Sequence, residues 1–85
     1  MRVVAETRVR DNDYDSLFAK RDWISIVLVE DCGCYSIIES IHYYYVNIDY
    51  HCYRSEMLDS SANYEVISAV YYNRINAWRE KYKER

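Results

Sequence analysis

The chain has 85 residues, of which 51% are hydrophobic and 29% are charged, and its formal net charge is −3. That composition is typical of a globular protein and excludes a disordered chain. The length predicts a single domain, residues 1–85, with a small core and a low free energy of unfolding. A net negative charge disfavours nonspecific binding to nucleic acids and membranes, and it favours partners with basic surfaces.

The cysteine pattern and the amino-terminal sequence both predict a cytoplasmic protein. The three cysteines are an odd number without the spacing of a disulfide framework. The first ten residues, MRVVAETRVR, lack the apolar stretch of a secretory signal, and no apolar run approaches the roughly 20 residues of a membrane span. We therefore expect free, buried thiols and no contact with a membrane.

The first predicted element is a β-strand from Arg2 to Arg10, followed by a short helix. Apolar and charged residues alternate along the strand with a period of two, which is typical of one buried and one solvated face. The acidic and amide residues at 11–13 then predict a turn. Asp13 is expected to cap a short helix in which Tyr14 and Leu17 lie on the same side.

The second predicted strand runs from Trp23 to Val29. This segment is short and rich in β-branched residues, which is typical of a strand buried within a sheet. A turn is expected at 31–33, because Gly33, the only glycine of the chain, adopts a positive φ without steric cost.

The segment Ser36–Arg54, with the sequence SIIESIHYYYVNIDYHCYR, is predicted to be a helix. At about 100° per residue its apolar side chains share one arc. Ser36 and Glu39 also have the spacing of a capping box at a helix start. The alternative is a hairpin followed by a strand, which the tyrosine and β-branched content favours. Strand alternation fails before Tyr44, however, because Ile37 and Ile38 are adjacent.

A second long helix is predicted after Asp59-Ser60-Ser61, whose side chains can cap it. The fold class is therefore α+β: a small two-layer domain whose N-terminal strands, with a short helix between them, pack against a C-terminal pair of antiparallel helices. The alternative is a β-hairpin or three-stranded antiparallel sheet plus one long C-terminal helix.

Two groups of residues are candidates for binding a partner. The acidic group is expected at one end of the sheet as a patch for a basic partner, although turn and capping chemistry is the commoner explanation. The tyrosine group lies outside the apolar arcs of the predicted helices, where tyrosines are typical of binding surfaces unless they pack on the strands. The acidic group is Asp11, Asp13, Asp15, Asp22, Glu30 and Asp31, and the tyrosine group is Tyr35, Tyr43, Tyr50, Tyr53 and Tyr72.

Neither a metal site nor a catalytic site is predicted. Cysteine and histidine are zinc ligands, but a C-x-C pair is tighter than the usual zinc spacing. On the helical prediction His42 and His51 also point away from Cys34 and Cys52. Among catalytic patterns, the sequence has no Gly-rich phosphate loop and no nucleophile elbow. We therefore expect a protein that is not an enzyme and needs no cofactor.

In its small size, acidity and lack of catalytic motifs, the chain is similar in general character to phage-encoded inhibitors of host defence nucleases, of the anti-CRISPR and anti-restriction type. This resemblance implies a non-catalytic protein-binding module in the host cytoplasm. Such a module blocks a basic, nucleic-acid-binding surface of a partner without itself contacting nucleic acid. Two alternatives remain open: an obligate homo-oligomer, such as a homodimer, whose tyrosine face is its own interface, and a nucleic-acid- or zinc-binding regulator.

Overall fold

A computed structural model describes residues 1–10, 14 and 17–82. These residues form four strands followed by one helix: β1 Arg2–Arg10, β2 Ala19–Asp31, β3 Cys34–Tyr45, β4 Tyr50–Ser61 and α1 Tyr64–Tyr82. Each strand pairs antiparallel with its neighbour in sequence, so the sheet order is β1-β2-β3-β4. Across the described ranges, no helix combines the length and the apolar character that crossing a membrane requires.

The two N-terminal strand predictions are confirmed. β1 has the predicted bounds, and β2 contains the predicted segment Trp23–Val29 but extends beyond it at both ends. The prediction of a short helix between these strands was wrong. Tyr14 instead makes an isolated antiparallel bridge with Lys20, and β2 already begins at Ala19.

The predicted helix over Ser36–Arg54 was also wrong, because this segment is most of a β-hairpin. β3 is a central strand that pairs with β2 on one side and with β4 on the other. Successive side chains of a strand point to opposite faces of the sheet. Ile37, which is 0% exposed, and the half-buried Ile38 therefore belong to opposite faces, and a register shift lies between them. Adjacent apolar residues also occur in the pattern of an amphipathic helix, which explains the wrong prediction.

The hairpin turn between β3 and β4 has specific backbone and side-chain support. The Val46 N–H donates to the Phe18 carbonyl oxygen at 3.0 Å, which ties the turn to the segment before β2. Asp49 has a positive φ of 50°, a conformation that aspartate tolerates better than most residues. The Tyr44 hydroxyl donates to the Asp49 carboxylate at 2.9 Å. The turn therefore follows from local polar chemistry without glycine or proline.

The C-terminal layer is a single helix, so the predicted helical pair was wrong. The alternative fold, with one long C-terminal helix, is closer, but the sheet has four strands. The predicted caps at 59–61 belong to the end of β4. The cap is instead Asn63, whose side-chain oxygen accepts a hydrogen bond from the Val66 N–H at 3.2 Å.

The core lies between α1 and one face of the sheet. Its buried members are Ile24, Ile26, Leu28, Ile37, Ile67, Tyr71, Ile75 and Trp78. The helical members recur at i, i+4 and i+8, with Trp78 next, so they form one stripe. The Tyr71 hydroxyl, buried in this core, donates to the Ile26 carbonyl oxygen at 3.2 Å. The helix thus covers one face of the sheet, and no second layer of described residues covers the other.

Candidate functional site

Ring-bearing side chains gather on the sheet face opposite α1, which we call the open face. On β2, Ile24 packs against the helix, so its neighbours Trp23 and Ser25 point to the other side. Trp23 pairs with His42 on β3, and His42 pairs with Tyr53 on β4. These residues therefore lie side by side across three strands. The group, named here the aromatic cluster, is Trp23, His42, Tyr44, His51 and Tyr53.

His42 is at the centre of the aromatic cluster. Its ring centroid lies 5.4 Å from that of Trp23 and 4.9 Å from that of Tyr53. His51 stacks on His42 at 5.1 Å with an interplanar angle of 18°, and Tyr44 stacks on His51 at 4.6 Å. All of these separations are within the range in which aromatic pairs attract each other. The rings therefore hold one another in defined positions.

Charged side chains border the aromatic cluster on its β1 and β2 side. The guanidinium carbon of Arg8 lies 3.8 Å from the centre of the Trp23 ring, which is a cation–π contact. Asp22 sits where the β2–β3 register shifts, and such bulges redirect a side chain. One oxygen of Asp22 lies 3.5 Å from Arg10, and the other lies 3.5 Å from Nδ1 of His42.

Exposure differs sharply within the aromatic cluster. His42 is 8% exposed and Tyr53 is 62% exposed, so the cluster has a buried base and a rim open to solvent. The hydrogen bond from the Tyr44 hydroxyl to Asp49 raises the pKa of that phenol, because only the protonated form can donate it. Tyr44 therefore remains a neutral hydrogen-bond donor at physiological pH.

The predicted acidic patch at one end of the sheet was wrong for the described acidic residues. Asp22 lies near the start of β2 and Glu30 near its end, roughly 26 Å apart at the usual rise of a strand. Glu30 contacts Arg2 at 3.2 Å, and Asp31 lies 3.9 Å from the amino-terminal nitrogen of Met1. The other three members of the acidic group, Asp11, Asp13 and Asp15, lie outside the described residues.

The five predicted tyrosines do not share one surface. Tyr43 is buried, and Tyr35 is half-buried with its ring 5.2 Å from that of Tyr64. Tyr50, at the start of β4, and Tyr72, on α1, are both exposed but lie on different elements. The fifth, Tyr53, is the one that belongs to the aromatic cluster. The rim of tyrosines expected on a helix was therefore wrong, because that helix is a hairpin.

Most of the aromatic cluster was not predicted from the sequence. Trp23, His42 and His51 were not predicted as partner contacts. The residues Asn47 and Asp49, both typical of turns, were the available signal. If these two residues form the turn of a hairpin, His42 and His51 lie on the same face of adjacent strands.

The cysteines lie apart from the histidines. All three are free thiols, but the expected burial was wrong for Cys32 and Cys34, which are exposed around the β2–β3 turn. Cys32 and Gly33 both have positive φ values, of 53° and 78°, which the tight turn requires. Cys52 follows His51 on β4 and therefore points to the opposite side of the strand.

Comparison of the chain with protein-family models, with curated proteins and with solved structures gave no match. Its function therefore has to be inferred from the residues of this chain.

Proposed function

We propose that the protein is a non-catalytic binding module that contacts another protein through the aromatic cluster on its open face. The observation that carries this proposal is the group of Arg8 on β1, Trp23 on β2 and Tyr53 on β4, which no layer of described residues covers. Tryptophan, tyrosine and arginine are the residue types that contribute most to binding at protein interfaces.

The rigidity of the aromatic cluster supports this proposal. The base of the cluster, His42, is packed between neighbouring rings, and the Tyr53 ring meets the Trp23 ring edge-on at 6.1 Å. Side chains that are already ordered lose little conformational entropy when a partner binds. A sheet face with fixed rings therefore favours tight contact over a small area.

The charges of the open face bear on the kind of partner. Arg8 and Arg10 lie at the border of the aromatic cluster, where Glu6 contacts Arg8 at 3.0 Å. Asp22 contacts Arg10 and His42, so both carboxylates at this border are already paired. A basic partner surface is thus not favoured at this position. Inhibition of a host defence nuclease stays a prediction that size and net charge support, and a cytoplasmic location stays a prediction that the cysteine pattern supports.

The test is affinity capture with the full-length protein, followed by titration of the purified partner. We expect Tyr53→Ala to weaken the partner's affinity by about 30-fold, as for an interface residue that contributes about 2 kcal/mol. Tyr72→Ala is the matched control, because Tyr72 is 55% exposed but lies on α1, on the other side of the sheet. Equal affinity in both variants would contradict the proposal.

The same Tyr53 variant separates the two alternatives. A stable dimer at low micromolar concentration that Tyr53→Ala dissociates favours the homo-oligomer over a different partner. Binding of a single-stranded oligonucleotide that Tyr53→Ala abolishes favours base stacking on the aromatic cluster, since aromatic rings beside cations are typical of such sites.

A further inference from the structure

We propose that Asp22, His42 and His51 form a binding site for a divalent transition-metal ion such as Zn²⁺. One ligand atom from each of these residues lies within 4.8 Å of the others. Two imidazoles and a carboxylate are ligands that zinc accepts, and three protein ligands leave its fourth position open to water or another donor. This inference goes beyond the proposed protein contact, because it concerns the isolated chain.

The distance between His42 and Asp22 fits a shared metal ion better than a direct hydrogen bond. Nδ1 of His42 lies 3.5 Å from Oδ2 of Asp22, which is longer than a good N–H···O hydrogen bond. Two ligands on a tetrahedral zinc ion, with bonds of about 2.0–2.1 Å, are about 3.3–3.4 Å apart. The two side chains thus already have nearly the separation that one bound ion requires.

A second observation points to a ligand at the same atom. Nδ1 of His42 is buried and has no hydrogen-bond partner among the described residues, and the His42 side chain is only 10% exposed. Buried polar atoms are nearly always paired, so an unpaired one needs an explanation. Coordination of a metal ion by this nitrogen supplies the missing interaction.

The third ligand, His51, has to turn to complete the site. Its ring is stacked on that of His42, and in stacked rings the lone pairs of the nitrogens run parallel and do not converge on one point. His51 is exposed and lies on the edge strand β4, so its rotation disturbs little packing. The contacts that this rotation breaks are the stacking of His51 on His42 and the stacking of Tyr44 on His51.

A neighbouring arginine orients one ligand of the proposed site, and the types of the three ligands determine which ions it can bind. Arg10 lies 3.5 Å from the second oxygen of Asp22, and outer contacts of this kind orient a ligating carboxylate. Imidazole ligands suit Zn²⁺, Cu²⁺ and Ni²⁺, whereas Mg²⁺ and Ca²⁺ require sites built from oxygen. We therefore expect binding of Zn²⁺ and no binding of Mg²⁺.

The test is calorimetric titration of the metal-free, full-length protein with Zn²⁺. Cys32, Cys34 and Cys52 are first replaced by serine to remove competing thiolates. We expect one equivalent of Zn²⁺ to bind this background, and His51→Ala or Asp22→Asn to weaken the affinity at least about tenfold. The matched controls are Tyr50→Ala and Glu56→Gln, which are exposed positions on the same β4 strand and should leave the affinity unchanged.

A spectroscopic readout locates the ion. The Trp23 ring lies 5.4 Å from that of His42, so bound Cu²⁺ should quench the fluorescence of Trp23. The second tryptophan, Trp78, lies in the core on the other side of the sheet and serves as an internal reference. We expect the quenching to disappear in Trp23→Phe and in His51→Ala.

Three results would overturn the inference: no stoichiometric binding of Zn²⁺, binding that survives both His51→Ala and Asp22→Asn, or binding that the serine replacements abolish. Circular dichroism of each variant checks that it is folded. Failure of the metal site leaves the proposed protein contact intact, because Tyr53→Ala tests that contact and Tyr53 is not among the three ligands.

Discussion

The two faces of the sheet differ in chemistry and in covering, and β2 carries both. Ile24, Ile26 and Leu28 point towards α1 and are nearly inaccessible to solvent. Trp23 and Ser25, which alternate with them, point to the open face. The face that builds the core is aliphatic, whereas the open face combines aliphatic side chains such as Val27 and Ile38 with the rings of the aromatic cluster and serine hydroxyls. We infer that the covered face supplies most of the stability and that the open face is free to bind.

The largest expected effect comes from truncating the covered face. Leu28→Ala removes a side chain that is 1% exposed, and such changes cost about 2–5 kcal/mol in the free energy of unfolding. Met57→Ala is the control, because Met57 is 63% exposed and its change should stay within about 0.5 kcal/mol. Denaturant unfolding measures both. Similar losses in the two variants would show that the faces contribute equally.

A smaller effect is expected at the hydroxyl that ties α1 to β2. Tyr71→Phe removes the hydrogen bond to the Ile26 carbonyl, and we expect a loss of about 0.5–1.5 kcal/mol in the free energy of unfolding. Tyr72→Phe, at the exposed neighbouring position, should have almost no effect. If both variants unfold at the same denaturant concentration, this hydrogen bond does not contribute.

Alkaline pH should also distinguish Tyr71→Phe from the unmodified protein. Burial raises the pKa of Tyr71, while a hydrogen bond with Thr7 lowers it, and the direction of the sum is upward. Below about pH 10 the phenol is protonated in both the folded and the unfolded chain. Above that pH the unfolded chain ionises first, so stability falls until the pH passes the raised pKa. Stability should therefore fall less steeply above pH 10 in Tyr71→Phe than in the unmodified protein.

The smallest expected effect is on the open face. The hydroxyls of Ser40 and Ser55 lie 2.9 Å apart on paired residues of β3 and β4. Cross-strand pairs of this kind contribute about 0.2–1 kcal/mol, which a double-mutant cycle with alanine can measure. A coupling larger than the loss in Tyr71→Phe would contradict the idea that the covered face dominates stability.

Parts of the fold could be predicted because their patterns were unambiguous. The alternation from Arg2 to Arg10 and the β-branched run from Trp23 to Val29 predicted the first two strands. The spacing of Ile67, Tyr71 and Ile75 predicted the C-terminal helix. The β3 strand could not be recognised, because Ile38 and Tyr44 on its open face stand next to Ile37 and Tyr43 in the sequence, which removes the alternation that identifies a strand.

The candidate site was harder to predict than the fold. Two of the residues expected to bind a partner, Asp22 and Tyr53, lie in or beside the aromatic cluster. Trp23 was treated only as part of a strand, and His42 and His51 were separated by the assumed helix. Their proximity depends on the pairing register of β3 and β4 and on the bulge at Asp22, neither of which periodicity reveals.

Pairing between consecutive strands also has a kinetic consequence. In this meander β3 pairs with β4 across the short turn between Tyr45 and Tyr50. Each described strand pairs with the strand that precedes or follows it in sequence. Contacts that are close in sequence shorten the search for the native topology. The sheet can therefore assemble hairpin by hairpin, and α1, which follows the four strands in the sequence, can dock on a face that they have already formed.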